Sequence, residues 1–393
     1  MSAIRKILSP LTARTCLASP IRRAGANRSF HIYSKPSAEK GRTEPQYRFK
    51  FLKGAPTVGI VGCPFSGGQG RTGVDLAPNK LISAGLVDQL SALGWEVHYN
   101  SQQKYIDIPY NPIPASSPAA PSEGTETFNG GSTSGSGSAD KKIQRLPDED
   151  IGKMKKPRLV SAVNQKVAQE VEEIAQKGWL PLTLGGDHSL AMGTVSGTKA
   201  KYPDACLIWV DAHADINTPL STDSGNLHGC PVSFLLGLEG TDVSPFSEWL
   251  KPCLKPEEIV YIGLRDVDGP EKEILKKHGI KAFSMHHVDK YGIGKVVEMA
   301  LDHVNPDRSK PIHLSYDVDA LDPIVAPSTG TPVRGGLTFR EGHYITEALA
   351  ETGCLVSVDI MEVNPALLDP SSVEKTVAAG CSLARASLGE TLL

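Results

Sequence analysis

At 393 residues the chain has room for one large domain or two smaller ones, and 40% hydrophobic with 22% charged residues is ordinary for a globular enzyme. A formal net charge of −3 supplies no basic field for nucleic acid, and no apolar run approaches the length of a membrane span. The seven cysteines include no CxxC pair and read as reduced thiols of an intracellular compartment.

Residues 1–38 carry seven Lys or Arg and no Asp or Glu, with Ser and Ala frequent. That composition suits a mitochondrial transit peptide; the alternative is a basic tail on a cytoplasmic protein. A single folded domain is expected over 56–389. Thr57–Gly62 reads as a buried strand, followed by a glycine-rich loop at 64–71. The loop lacks the GxGxxG and GxxxxGK[ST] spacings, so it is not a nucleotide cradle. A helix over 78–93 and a strand at Glu96–Tyr99 follow. Residues 108–147 are dominated by Pro, Ser, Gly and Thr and cannot build a core, so they read as a flexible surface insertion.

Beyond the insertion come a helix over about 157–177 and a strand at Leu180–Leu184. That strand ends in Gly185-Gly186-Asp187-His188-Ser189, with a helix beyond. Further strands are expected at 206–211, 259–263, Lys281–Ser284, 312–316 and Leu355–Met361, and helices at 269–278, 287–304 and 340–351. Strands alternating with helices predict an α/β fold, a mainly parallel sheet flanked by helices on both faces. In such sheets ligands bind beyond the carboxyl ends of the strands.

The central strand runs Cys206-Leu207-Ile208-Trp209-Val210 straight into Asp211, His213 and Asp215 at alternate positions. In extended chain such side chains leave on one side, roughly 6–7 Å apart. Massed acceptors at the end of an apolar strand are costly to desolvate unless something positive sits among them, and a divalent metal is the simplest answer. His188 ends one strand, and Asp317 and Asp319 end another. Two His and four Asp exceed the three or four ligands usual for one zinc. A carboxylate-rich set with some imidazole suits Mn²⁺, and six such residues suit a pair of ions. Asp187, taken alone, reads as a helix cap.

The segments 185–189, 211–215 and 315–323 closely resemble the three signatures of the ureohydrolase superfamily, and the resemblance runs from about 57 to 387. It implies an arginase-like three-layer α/β/α domain holding two Mn²⁺. His188, Asp211, Asp215 and Asp317 would bind one ion; Asp211, His213, Asp317 and Asp319 would bind the other. The loop 217–229 looks like the version found in arginases. By resemblance, Asn217 and Ser224 would hold an α-carboxylate, Asp268 an α-ammonium with Glu271 near it, and Thr331 a supporting place at the substrate site. His228 matches a proton shuttle or general acid, and Glu362 the carboxylate that grips a guanidinium. The implied reaction is hydrolysis of L-arginine to L-ornithine and urea, by a metal-bridging hydroxide that Asp215 orients. Agmatinase or another guanidino-acid hydrolase is the alternative enzyme, and a catalytically silent arginine-binding scaffold the alternative of another class. The resemblance further implies a homotrimer or hexamer, with Arg340-Glu341 matching an interface pair of some relatives. Cys230, beside His228-Gly229, is a packed thiol or a redox-sensitive one.

Overall fold

In the computed structural model, residues 47–99 and 148–391 are described. The expected basic segment 1–38 and the expected insertion 108–147 lie outside them. Eight strands of the described residues form one sheet: β1 Thr57–Gly62, β2 Glu96–Tyr99, β3 Leu180–Leu184, β4 Cys206–Val210, β5 Ile259–Leu264, β6 Lys281–Ser284, β7 Ile312–Asp317 and β8 Leu355–Met361. Their spatial order is β2-β1-β3-β8-β7-β4-β5-β6. Every pairing is parallel. The sheet is therefore wholly parallel among the described residues, and the six strands β1, β3, β4, β5, β7 and β8 are buried almost throughout. A strand buried on both faces can be apolar on both, which is why CLIWV shows no alternation.

Among the described residues, ten α-helices flank the sheet: α1 Ala77–Ser83, α2 Leu86–Ala92, α3 Pro157–Gln176, α4 Ala191–Lys201, α5 Pro231–Leu236, α6 Gly269–His278, α7 Met285–Tyr291, α8 Ile293–Val304, α9 Phe339–Glu351 and α10 Pro370–Ser387. One core packs Ile208, Ile262, Leu314 and Val358 against Leu81 of α1, Val296 of α8, Ile345 of α9 and Val377 of α10. The opposite core packs Leu207, Trp209 and Tyr261 against Val163 and Val167 of α3 and Met192 of α4. Each such buried side chain stabilises the fold by about 1.5–3 kcal/mol relative to exposure. Residues 47–53 join the same body: Lys50 N donates to Gly353 O, and the Phe49 ring meets Trp95 edge-on.

Two expected helices are each broken in two. The run 78–93 divides at Gly85, whose φ is 88°, and 287–304 divides at Gly292, whose φ is 75°. A left-handed residue ends a helix, and only glycine takes that conformation without steric cost. Helices α5 and α10 were not expected. The α10 sequence is rich in Ala and Ser, and its start is set by Asp369, whose side chain accepts from Ser371 N and Ser372 N.

One face of β7 is polar although buried. His313, Ser315 and Asp317 alternate with Ile312, Leu314 and Tyr316. His313 Nε2 lies 2.8 Å from Asp359 Oδ2, which also accepts from Thr194 Oγ1 at 2.6 Å and Ser315 Oγ at 3.2 Å. This seam of hydrogen bonds runs beneath the carboxyl edge of the sheet.

Candidate functional site

The four strands in the middle of the sheet, β3, β8, β7 and β4, each deliver a polar side chain at the carboxyl edge. His188 opens a short 3-10 turn after β3, Glu362 directly follows β8, Asp317 ends β7 and Asp211 directly follows β4. His188 Nδ1 lies 3.1 Å from Asp211 Oδ2, 3.4 Å from Asp215 Oδ2 and 3.2 Å from Asp317 Oδ2. His213 Nδ1 lies 3.3 Å from Asp211 Oδ1 and 3.1 Å from Asp319 Oδ2. Two groups of donor atoms result, each within 4.8 Å: His188 with Asp211 and Asp215, and Asp211 with His213 and Asp319. Asp211 is common to both. Asp317 is in neither group, but its Oδ2 faces His188 and its Oδ1 accepts from Asp319 N at 2.8 Å.

These side chains are braced from behind. Asp211 accepts from His213 N at 2.7 Å and from Trp209 Nε1 at 3.0 Å. The His188 ring stacks on Trp209 at 4.1 Å, and its Nε2 lies 2.9 Å from Ser315 Oγ, the top of the polar seam. Thr331 Oγ1 donates to Asp319 Oδ2 at 3.0 Å. The Arg265 guanidinium donates to the carbonyls of Asp319, Ala320, Leu321 and Val333, tying the chain after β7 to the end of β5. Asp215 and Glu362 hold φ of 49° and 63°, left-handed values that cost a non-glycine residue about 1–2 kcal/mol. Strain of this kind gathers where side-chain direction matters more than stability.

The electrostatics ask for a cation. Burial raises the Asp215 carboxyl, and the Asp211 charge raises it further. Burial also raises Asp317, with Asp319 and Asp211 adding to it. Burial would lower both imidazoles, yet the facing carboxylates outweigh it and hold His188 and His213 well above the usual histidine range. Asp211 is held low despite burial, because both imidazoles hydrogen-bond to it. The cluster thus draws protons onto its histidines for want of positive charge. Four carboxylates and two imidazoles facing one another, with donor atoms at these separations, fit a pair of borderline-hard divalent ions.

Beside the cluster stand Glu362 and His228. Glu362 Oε1 accepts from His188 N at 2.9 Å and lies 3.5 Å from His228 Nδ1. Burial works against the His228 charge, but Glu362, Asp215 and Asp187 together push its pKa up to about 9. Burial would raise Glu362, but His228 and the His188 N–H keep it below its ordinary value. Asp187 is the expected cap, accepting from Ser189 N at 3.1 Å, and does more: its Oδ2 accepts from Gly68 N at 2.8 Å. Burial and the Glu362 charge push its pKa up to about 6.

The residues expected to read the α-groups gather less tightly. Asn217 Nδ2 donates to Asp268 Oδ2 at 2.9 Å, and Asn217 Oδ1 accepts from Ser221 Oγ at 2.8 Å. Asp268 is exposed and caps α6. Glu271 is buried, and its oxygens accept from Ile216 N at 3.1 Å and Asp268 N at 3.0 Å, so it braces the loop against α6. Ser224 is exposed and its Oγ accepts from Asn226 N at 3.2 Å; no hydrogen bond joins it to Asn217 or Asp268. Cys230 is fully buried, and burial pushes its thiol far up, which makes it a packed thiol. Sequence reasoning passed over Gln69, Ser315 and Arg265. Gln69 carried one signal, its place in a loop at the carboxyl end of a buried strand.

Comparison with known proteins agrees with this geometry. The family model described as Arginase family matches residues 56–389. An arginase of Glaciozyma antarctica is 59% identical over 346 residues, covering 87% of this chain and 90% of that protein. The crystal structure of a cold-adapted arginase from that yeast superposes with a TM-score of 0.65 at 53% identity, covering 89% of this chain and all of that one. An Entamoeba histolytica arginase solved in complex with L-ornithine gives 0.66 at 25% identity, covering 84% of this chain and 99% of that one. The chain belongs to the arginase family.

Proposed function

We propose that this protein hydrolyses L-arginine to L-ornithine and urea with two Mn²⁺ ions. One observation carries the reading: four adjacent strand ends converge on two donor groups sharing Asp211, with Glu362 and His228 beside them. His188, Asp211, Asp215 and Asp317 would hold one ion, and Asp211, His213, Asp317 and Asp319 the other. Bound there, two divalent cations acidify water at near-neutral pH.

The chain's own groups do the rest. Glu362 presents a buried carboxylate, matched to the planar cation of a guanidinium. Asp215, held at positive φ, places its Oδ2 3.4 Å from His188 Nδ1 and can orient the attacking water. Oxygen bonds to the guanidinium carbon, the bond to the side-chain nitrogen breaks, and that nitrogen needs a proton to leave as ornithine's amine. His228, kept protonated by Glu362, can give it. The Asn217–Asp268 pair offers an amide donor and a carboxylate side by side, suited to the α-carboxylate and α-ammonium of an amino acid. Agmatine has no α-carboxylate, so this pair favours arginine, and the ornithine complex of a relative points the same way.

Urea release should be measured for metal-stripped protein with and without Mn²⁺, on arginine and on agmatine. The expected result is Mn²⁺-dependent turnover of arginine with kcat/KM at least about tenfold above agmatine, the value of one charge-assisted hydrogen bond. Equal or better turnover of agmatine would overturn the substrate assignment. Arginine binding without urea release would favour a silent scaffold.

A further inference from the structure

The glycine-rich loop 64–71 has no part in the chemistry above, yet it is packed onto the site. His228 N donates to Gly68 O at 3.0 Å, and Gly68 N donates to Asp187 Oδ2 at 2.8 Å. A side chain on Gly68 would come within 2.4 Å of Asp187, and one on Gly186 within 1.7 Å of Phe65 O, so the two loops can approach only as glycines. This contact brings Gln69, which is 5% exposed, to Glu362 from 293 residues away: Gln69 Nε2 donates to Glu362 Oε2 at 2.7 Å.

We propose that Gln69 is a positioning residue for the guanidinium end of the substrate, acting through Glu362. The proposal rests on the reading of Glu362 as the guanidinium-binding carboxylate. The terminal torsion of a glutamate is broad, so one anchored oxygen leaves the carboxylate plane free to turn. Here each oxygen has its own donor, His188 N on Oε1 and Gln69 Nε2 on Oε2, and the plane is fixed. A bidentate guanidinium needs both oxygens in one orientation, which this arrangement supplies before the substrate arrives. The donor is neutral, so it orients Glu362 without adding a second cation to His228, which already lies 3.5 Å from Oε1. Gln69 Oε1 accepts no hydrogen bond from the described residues and lies 3.0 Å from where a side chain at Gly330 would begin.

The test uses Gln69→Met, of similar length but without the donor. Two constants are read on Mn²⁺-loaded protein: KM for arginine, and the inhibition constant of 2-aminopentanoic acid, which keeps the α-groups but has no nitrogen at the far end. KM should rise about tenfold or more, the usual consequence of losing a hydrogen bond to a buried charge. The inhibition constant should stay within about twofold, since the α-groups are read elsewhere. An unchanged KM overturns the proposal, and so does a parallel rise in both constants, the mark of general loosening. Should the methionine variant not fold, Gln69→Asn keeps the amide and withdraws it by one methylene, and is judged by the same split. A wild-type protein that releases no urea from arginine sinks the parent reading and this one together; an active wild type with an indifferent variant sinks this one alone.

Discussion

The two corners of the site are held in different ways. In the metal-type corner each carboxylate and imidazole stands on or just beyond a central strand, and all but His213 are buried. Three of the six have a further bond: Asp211 from Trp209 of its own strand, His188 with Ser315 of β7, and Asp319 from Ala212 N at the end of β4. In the α-group corner the side chains sit on the loop 217–229 and the first turn of α6, and Ser224 and Asp268 are exposed. Their bonds are mostly local, Ser224 to Asn226 and Asp268 to Glu271. On the proposed reading, the contrast follows from what each corner would handle. A cation cluster must be preorganised, since its like charges would otherwise spread apart. A recognition loop must admit and release a zwitterion, and exposed polar groups do so at little cost.

The comparison breaks most visibly at Asp211, which belongs to both donor groups. Asp211→Asn removes one charge from each and keeps the shape. Metal content by elemental analysis should fall below two ions per chain, and kcat/KM for arginine should drop by about a thousandfold or more, given the several kcal/mol that a metal ion supplies. A variant that keeps two ions and near-normal turnover would show that the preorganised corner does not depend on its shared ligand.

How far each corner could be read from sequence differs for the same reason. Alternate acids at the end of CLIWV and of IHLSYD can be recognised because strand geometry alone puts them on one side. His188 is likewise marked by its place after LPLTL. The supports are another matter. Ser315 is an ordinary residue until the sheet order brings β7 close to β3, and Thr331 is marked by resemblance alone. Gln69 meets Glu362 only through that same order. The left-handed backbone at Asp215 and Glu362 has no local signal, because Asp and Glu do not announce positive φ as glycine does. Glycine does so at 85 and 292, in runs expected to be single helices.

Removing the metal sharpens the contrast through pH. In the metal-free protein His188 and His213 are held above their ordinary values by the facing carboxylates, and Asp215 and Asp317 are raised by burial and by their acidic neighbours. Groups raised in the folded state bind more protons there than in the unfolded chain, so their stabilisation is present at low pH and lost as pH rises through the folded values. Asp211, held low, works in the opposite direction, but only at acid pH. The metal-free protein should therefore lose Tm between about pH 6.5 and 9, by a few degrees or more. The Mn²⁺-loaded protein should hold its Tm or gain, because the cation replaces those protons and binds tighter as pH rises. Thermal scans of both forms across that range decide it. Parallel curves would mean that the carboxylates of the corner are not short of positive charge.

The smallest effect belongs to the exposed corner. Ser224 Oγ makes one local bond, from Asn226 N, and lies open to solvent. Ser224→Ala removes at most one exposed hydrogen bond to an α-carboxylate, about 0.5–1.5 kcal/mol, so KM for arginine should rise about two- to tenfold with kcat and metal content unchanged. Agmatine supplies the control. It lacks the carboxylate, so its weaker turnover should not change with the substitution. If arginine and agmatine shift together, Ser224 shapes the loop rather than reading the substrate, and recognition of the α-carboxylate passes to Asn217, a buried residue of this corner. If neither shifts, the loop 217–229 holds its form through Asn217, Ser221 and Thr218 without Ser224.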